Sequence, residues 1–464
     1  MRSICIARTK KGTRMQFHLD QITSGFIAGW CVNGDQPVHL ALLVNGRQIA
    51  ATTANRYRKD LEDAGIGSGK HAYVFHLRRP GLLDGDEIEI RDAHSEASLH
   101  QLQLSSTDRR GLEAAYDFID STERFAGPYW RPVLIDIPGG KVSLQGELFV
   151  PPGAGSQPDL YCDGEVVSAE IEAAIAEKRD RYWFLDGSVL HAKFVTTIGP
   201  KRRLVYASNQ DSPAQGNDLA FGVIPSKSDM DMFKFAGSDR ARRVAGGDDT
   251  LVRFASGGLT AATQLLHLID LIPKFPQSAK VLDWGCGAAR VLQFLRADRP
   301  YWTFSGVDID EVNISWCLEN IPDAAAFQQI PLMPPMPYDD SLFDLVYGLS
   351  VITHLEEPTR NAWLSELARV TKAGGVCVLS FMSPFHVLQT GINEWSLPLI
   401  DELAVRGIAD HLTDSALGSD LSSYYKATYN TLDNLKSAVK QWFDVVSFHP
   451  RSLLFQDTVV LRRR

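Results

Sequence analysis

Two carboxylates stand where the surrounding residues make binding chemistry possible. The first ends the apolar run Val281-Leu282-Asp283 and precedes the turn Trp284-Gly285-Cys286-Gly287-Ala288-Ala289-Arg290. Glycines there let a ligand approach the backbone where a Cβ would block it. A helix expected to open near Ala289 would add unpaired N–H groups and partial positive charge. The second carboxylate, Asp308, ends the next strand-like run, Phe304-Ser305-Gly306-Val307-Asp308, roughly 21 residues past Gly287. A carboxylate so placed can accept two hydrogen bonds from a ribose diol. Together they suit an adenosine-containing ligand. The nicotinamide fingerprint GxGxx(G/A) fails, because its sixth position is Arg290.

The elements that would hold these residues begin near residue 250. A helix is expected over 260–272, from the spacing of Leu265, Leu268, Ile269 and Ile272, with a stop at Pro273. Strand-like runs at 281–283, 304–308, 343–347 and 375–381 then alternate with helical ones, which implies a parallel sheet covered by helices. Trp363, Leu367 and Val370 share one helix face, and Gly374 is expected as its left-handed cap. Two closing runs around Pro450, with no helix between them, imply an antiparallel terminal hairpin.

The turn resembles motif I of class I S-adenosylmethionine-dependent methyltransferases, DxGxGxG. Asp283, Gly285 and Gly287 match it, while Ala289 stands at the last glycine. The resemblance runs over residues 250–464. It takes in Tyr338 to Tyr347 before the fourth strand, Ser350 to Leu355, and the helix and turn ending Lys372-Ala373-Gly374-Gly375. It implies an α/β doubly wound domain with S-adenosylmethionine as cofactor. Asp283, Trp284, Gly285, Cys286 and Gly287 would hold the methionine part, Asp308 the ribose and Ile309 the adenine. Ser350 would line the methyl-transfer side. His354 becomes the candidate general base, and Tyr424 and Tyr425 candidate acceptor contacts. A reactive role for Cys286 is the weaker reading beside simple packing.

The N-terminal half has a different texture. Residues 15–105 carry short apolar runs separated by Asn33-Gly34, Asn45-Gly46 and Asp84-Gly85, which suggests a β-sandwich domain. Residues 130–230 repeat the texture as a second sandwich-like domain. Gly29, Asn45-Gly46 and Phe75 find counterparts in Gly146, Asp163-Gly164 and Phe194 at offsets of roughly 117–119 residues. Duplication and two unrelated hairpin-rich modules both fit. A linker is expected at 214–249, and the Arg240–Arg243 cluster reads as a solvated part of it. Phe26 to Trp30, with Leu43 to Gly46, Arg58 to Leu61 and Phe75, resembles β-sandwich modules fused to bacterial glycosyltransferases and surface-polysaccharide enzymes. That implies a glycan or glycolipid-precursor acceptor. The alternatives are a glycan- or partner-binding scaffold with an inactive methyltransferase domain, or an acceptor that is a protein or small metabolite. Trp30, Trp130 and Trp183 could stack on sugars but fit core packing better.

Composition narrows the class. The chain has 464 residues, enough for about three domains, and its 44% hydrophobic fraction suits packed cores rather than disorder. A net charge of −9 does not suggest a nucleic-acid partner. Six scattered cysteines without a CxxC pair suggest reduced thiols and no metal site. No run reaches the ~20 apolar residues of a transmembrane segment, so a cytoplasmic protein is expected, with peripheral membrane contact open. The oligomeric state is not legible.

Overall fold

The computed structural model describes residues 5–8, 14–22, 26–34, 36–77, 85–103, 117–119, 129–151, 158–175, 181–182, 184–185, 187–208, 220–238, 240–241, 250–390, 396–412 and 426–464. The chain divides into two compact units. One comprises Met1–Arg124, Ala176–Leu185 and Phe385–Val405; the other comprises Phe125–Ile175, Asp186–Pro384 and Arg406–Arg464.

The first unit contains β1 (Cys5–Arg8), β2 (Arg14–Ile22), β3 (Phe26–Val32), β4 (Val38–Val44), β5 (Arg47–Ala54), β6 (Arg56–Tyr57), helix α1 (Lys59–Asp63), β7 (Lys70–His76), β8 (Glu87–Asp92) and β9 (Ser98–Gln103). They form two antiparallel sheets, ordered β1-β2-β3-β7-β6 and β5-β4-β8-β9. Phe17, Ile27, Tyr73 and Phe75 from the first sheet share one core with Leu40, Leu42, Ile88 and Ile90 from the second. Alternate residues along each strand thus supply the buried face.

The second unit opens with β10 (Tyr129–Ile137), β11 (Lys141–Val150), β12 (Asp159–Cys162), β13 (Glu165–Val166), β14 (Glu170–Ala173), β15 (Ser188–Thr196), β16 (Arg203–Ser208) and β17 (Phe221–Ile224). Their sheets run β10-β11-β15-β14 and β13-β12-β16-β17. Shifted by eight strands, these are the orders β2-β3-β7-β6 and β5-β4-β8-β9 of the first unit. The agreement reaches single hydrogen bonds. Asn45 and Asp163 both adopt left-handed φ (51° and 53°) before a glycine. The Asn45 amide donates to the Glu87 carbonyl and its side chain accepts from the Glu87 amide; Asp163 does the same with Leu204. Ile27 pairs with Phe75 as Leu144 pairs with Phe194. A Cβ at Gly29 would lie 2.1 Å from the His18 carbonyl oxygen, and one at Gly146 1.8 Å from that of Arg131. Two unrelated modules would share turn types but not this set of equivalences, so the structure favours duplication. Trp30 and Trp130 are both core residues, which removes them as sugar platforms; Trp183 lies outside the described residues.

Part of the expected linker is ordered structure. Phe221–Ile224 is the last strand of the second pair of sheets, and α2 (Lys227–Met232) follows it with a reciprocal Ser226/Asp229 capping box. Arg240 donates to Asn313 rather than standing in solvent, while Arg242 and Arg243 lie outside the described residues. The helix expected at 260–272 is longer: α3 spans Leu251–Asp270, capped by the Thr250 side chain. The small residues Ala255, Ser256, Gly257 and Gly258 hid its first turns from a periodicity argument. This end of α3 is where β17 docks. The Ser256 hydroxyl donates to the Val223 carbonyl at 2.8 Å, and the Val223 amide donates to Thr260 at 3.0 Å.

The elements that follow and frame the site include β18 (Lys280–Trp284), α4 (Leu292–Asp298), β19 (Thr303–Asp308), α5 (Glu311–Asn320), β20 (Ala326–Gln329), β21 (Phe343–Gly348), α6 (Glu357–Val370), β22 (Thr371–Phe381), β23 (Ile408–Leu412), β24 (Lys426–Asn430), α7 (Leu432–Val439), β25 (Phe443–His449) and β26 (Asp457–Arg463). Seven of these strands form a sheet in the order β20-β19-β18-β21-β22-β26-β25, parallel except for β26. Buried cores lie on both faces, one against α3 and α4 and one against α6 and α7. Gly374 does not cap α6. That helix ends at Val370 with extended Thr371, and Gly374 takes φ 74° within β22, where the pairing with β21 slips register.

Candidate functional site

The order of the sheet reverses at β18. β19 and β20 lie to one side and β21 to the other, so the strand ends leave a crevice at Asp283. The turn after β18 enters it with Gly285 at φ 77° and Gly287 at φ 52°. A Cβ on Gly285 would lie 2.4 Å from Val351, so only glycine fits. Ala289, at the family's third glycine, is fully buried with φ 53°. A methyl group is therefore held in a left-handed conformation that costs roughly 1–2 kcal/mol. Helix α4 opens at Leu292, three residues beyond the expected position. The strained turn at Ala289 delays it.

A cavity of about 480 Å³ occupies this crevice. Asp283, Trp284, Gly285, Cys286, Gly287, Asp308, Ile309, Ser350 and His354 all line it. The structure thus gathers nine of the singled-out residues around one space. Tyr424 and Tyr425 fall outside the described residues. Sequence reasoning missed Asn313 and Gln329, which also reach the wall. β20 is too short and polar to have announced Gln329.

Asp283 is 4% exposed. Burial pushes its carboxyl up to about 7, and the neighbouring Tyr347 hydroxyl and Arg290 only partly offset this. A buried carboxylate of this kind is a receptor for a cation. Asp308 is also raised by burial, but backbone amides hold it: one oxygen accepts from Gly287 at 2.7 Å and the other from Asp310 at 2.8 Å. It therefore shapes the glycine turn while keeping lone pairs for hydroxyl donors. Asp310 caps α5 through the Val312 and Asn313 amides.

Trp284 contributes mainly backbone, since its ring is buried and tilted against Trp363 at 5.3 Å. Cys286 is buried and its thiol lies well above the ordinary range, first through desolvation, so it packs rather than reacts. Ser350 has φ 60°, and a network fixes it. Its amide donates to Ser380 at 2.7 Å, its hydroxyl accepts from Gln456 at 2.9 Å, and Ser380 donates to Gln456 at 2.8 Å. His354 sits 2.8 Å through Nδ1 from the Lys426 carbonyl, so Nδ1 carries the proton and Nε2 is the basic nitrogen. Burial lowers its pKa, leaving it neutral near pH 7.

Residues 282–379 match the family model described as a methyltransferase domain. A curated relative, 2-methyl-6-phytyl-1,4-hydroquinone methyltransferase from Synechocystis sp., is 23% identical over 182 residues, covering 37% of this chain and 54% of the relative. The chain thus spans about half the length of that relative. Similar solved structures include an S-adenosylmethionine-dependent methyltransferase from Mesorhizobium loti, 15% identical, covering 44% of this chain and all of that one, with TM-score 0.34. Another is magnesium protoporphyrin IX methyltransferase from Synechocystis with bound S-adenosylmethionine, 15% identical, covering 51% and 95%, with TM-score 0.31. Residues 282–379 thus carry the likeness of a methyltransferase domain within this doubly wound sheet, and S-adenosylmethionine is the cofactor such a domain takes. The residues present suit it. The buried Asp283 carboxyl can take an ammonium group, Asp308 a diol, and the glycine turn the close approach of a backbone-contacting ligand.

Proposed function

We propose that this chain is an S-adenosylmethionine-dependent methyltransferase acting on a glycan or glycolipid precursor in the cytoplasm. The observation that carries the activity is the convergence of Asp283, the Gly285–Gly287 turn and Asp308 on one cavity at the switch point of the sheet. The glycan part rests on the resemblance of the N-terminal module, and among the described residues no helix is long and apolar enough to cross a membrane.

Bound in the crevice, the cofactor supplies an already activated methyl group. The protein's task is then alignment and proton removal. Asp283 neutralises a bound ammonium, and Asp308 anchors hydroxyls while bracing the Gly287 amide. Ser350, locked by Ser380 and Gln456, fixes the wall where acceptor and donor meet. His354 Nε2 takes the proton from an acceptor hydroxyl, whose own pKa is too high to ionise near neutrality.

Calorimetric titration of S-adenosylmethionine into the full chain tests the first half of the proposal; folded protein that gives no binding refutes it. Labelled cofactor incubated with fractionated cell extract tests the second. Label in a carbohydrate fraction supports the glycan reading, and label in a quinone, protein or small-metabolite fraction replaces it. Cofactor binding without transfer to any fraction would favour the scaffold reading, to which the strained Ala289 gives some support.

A further inference from the structure

A second cavity, of about 250 Å³, adjoins the first: Arg290, Ser350 and Leu454 line both. Its remaining wall comes from three places. Arg131 and its neighbours on β10, with Leu144 on β11 and Gly222 on β17, belong to the second copy of the duplicated module, Arg253 and Gln264 to α3, and Ser452, Phe455 and Gln456 to the turn between β25 and β26. Among the described residues, three arginines line this cavity and no acidic residue does. The cofactor cavity has the opposite balance, with Asp283, Asp308, Asp310 and Glu311 on its wall.

The arginines are placed by construction. Arg131 lies over the Phe455 ring at 5.0 Å and Arg290 over Phe254 at 5.2 Å. Phe455 itself is held at φ 62°, beside Leu454 at 53° and Arg451 at 50°. Three strained positions within five residues persist only where neighbours over-determine them. Asp457 does so by accepting from the Arg451 amide, and Ser452 by donating to the His449 carbonyl while its oxygen accepts from the Thr458 hydroxyl. Gly258 lets the Arg290 backbone press on α3, since a Cβ there would lie 2.5 Å from the Arg290 carbonyl oxygen.

The duplication adds an independent observation. Arg131 pairs with Glu147 beside Gly146 as His18 pairs with Trp30 beside Gly29. The copy in the first unit has an imidazole there, 3.4 Å from Asp20. The copy beside the methyltransferase sheet has a permanent cation at a cavity wall.

We propose that the second cavity is the acceptor site and that the acceptor carries an oxyanion, bound by Arg131 and Arg253 with Arg290 at the passage to the cofactor. This deepens the methyltransferase reading and rests on it. Guanidinium forks suit phosphoryl and carboxylate groups alike. A phosphorylated or uronic-acid-bearing sugar precursor would satisfy both this site and the glycan reading.

The test is calorimetric, on the full chain with and without S-adenosylhomocysteine, using inorganic pyrophosphate and succinate as probes. At least one probe binds saturably, and Arg131→Gln and Arg253→Gln each weaken it about tenfold or more. Affinity for S-adenosylhomocysteine in the same variants stays within about twofold of wild type. Pyrophosphate alone assigns a phosphoryl group, and succinate alone a carboxylate. Binding of neither probe, or binding that both variants retain, overturns the oxyanion site. Failure of S-adenosylhomocysteine to bind overturns the methyltransferase reading instead, and with it the acceptor role, while the probe titrations still decide whether the cavity holds an oxyanion.

Discussion

Asp283→Asn should stabilise the ligand-free protein while damaging cofactor binding. The wild-type carboxyl is buried and pushed from 3.8 to about 7. The folded chain therefore holds a proton that the unfolded chain has released between about pH 4 and 7. Stability falls as pH rises through that window and levels off above it. Moving a pKa from 3.8 to about 7 corresponds to about 4 kcal/mol. Asparagine has nearly the same shape and no charge to desolvate. The variant should thus exceed wild type by about 1 kcal/mol at pH 4.5 and about 4 kcal/mol at pH 8. For a unit of this size that is roughly 6 °C at the higher pH. Scanning calorimetry across pH 4.5–8 reads the gap, and titration with S-adenosylhomocysteine at pH 8 reads the cost, a weakening of about 10- to 100-fold. A stability gap that stays flat with pH would refute the argument that burial, rather than a hydrogen-bonded partner, governs this carboxyl.

The other predictions concern the same walls. Asp308→Asn leaves only one oxygen to accept from Gly287 and Asp310, so affinity for S-adenosylhomocysteine should fall at least tenfold and the melting temperature should drop. His354→Gln should lower kcat about a hundredfold with an oxygen acceptor and remove the acidic limb of the pH–rate profile, which in wild type lies below the ordinary histidine value; an unchanged profile would dismiss the residue as base. Gly285→Ala places a methyl 2.4 Å from Val351 at φ 77°, and should abolish detectable cofactor binding in a protein that still folds by circular dichroism. Gly146→Ala drives a Cβ into the Arg131 carbonyl at 1.8 Å; it should destabilise the second unit by several kcal/mol, seen as a lowered denaturant midpoint.

The cofactor crevice was legible because its parts are local. Asp283 to Gly287 is one contiguous turn, and Asp308 lies one βαβ step further on, so strand and turn rules suffice to bring them together. Helix ends were less legible where side chains are small. Ala255 to Gly258 leave no hydrophobic stripe, because their role is to let β17 and Arg290 approach α3 closely. Gly374 was assigned to the wrong element because a left-handed glycine serves a helix end and a strand bulge equally well. The second cavity was not legible at all. Arg131, Arg253 and Phe455 are far apart in the chain, and only tertiary packing joins them. The repeat was half legible: turn glycines and one phenylalanine gave its offset, but the strand order needed coordinates.

That repeat separates two kinds of inheritance within one gene. Gly29 and Gly146, Asn45 and Asp163, and Phe75 and Phe194 are the instructions that make each copy fold, and they pass to both. A copy that arrives with those instructions intact needs only a few outward substitutions to be recruited as the wall of a neighbouring enzyme. His18 and Arg131 mark one such position, where the descendants of a common residue now serve different neighbours. The module can therefore be read as a standing supply of folded surface, one copy of which already lines a cavity beside the seven-stranded sheet.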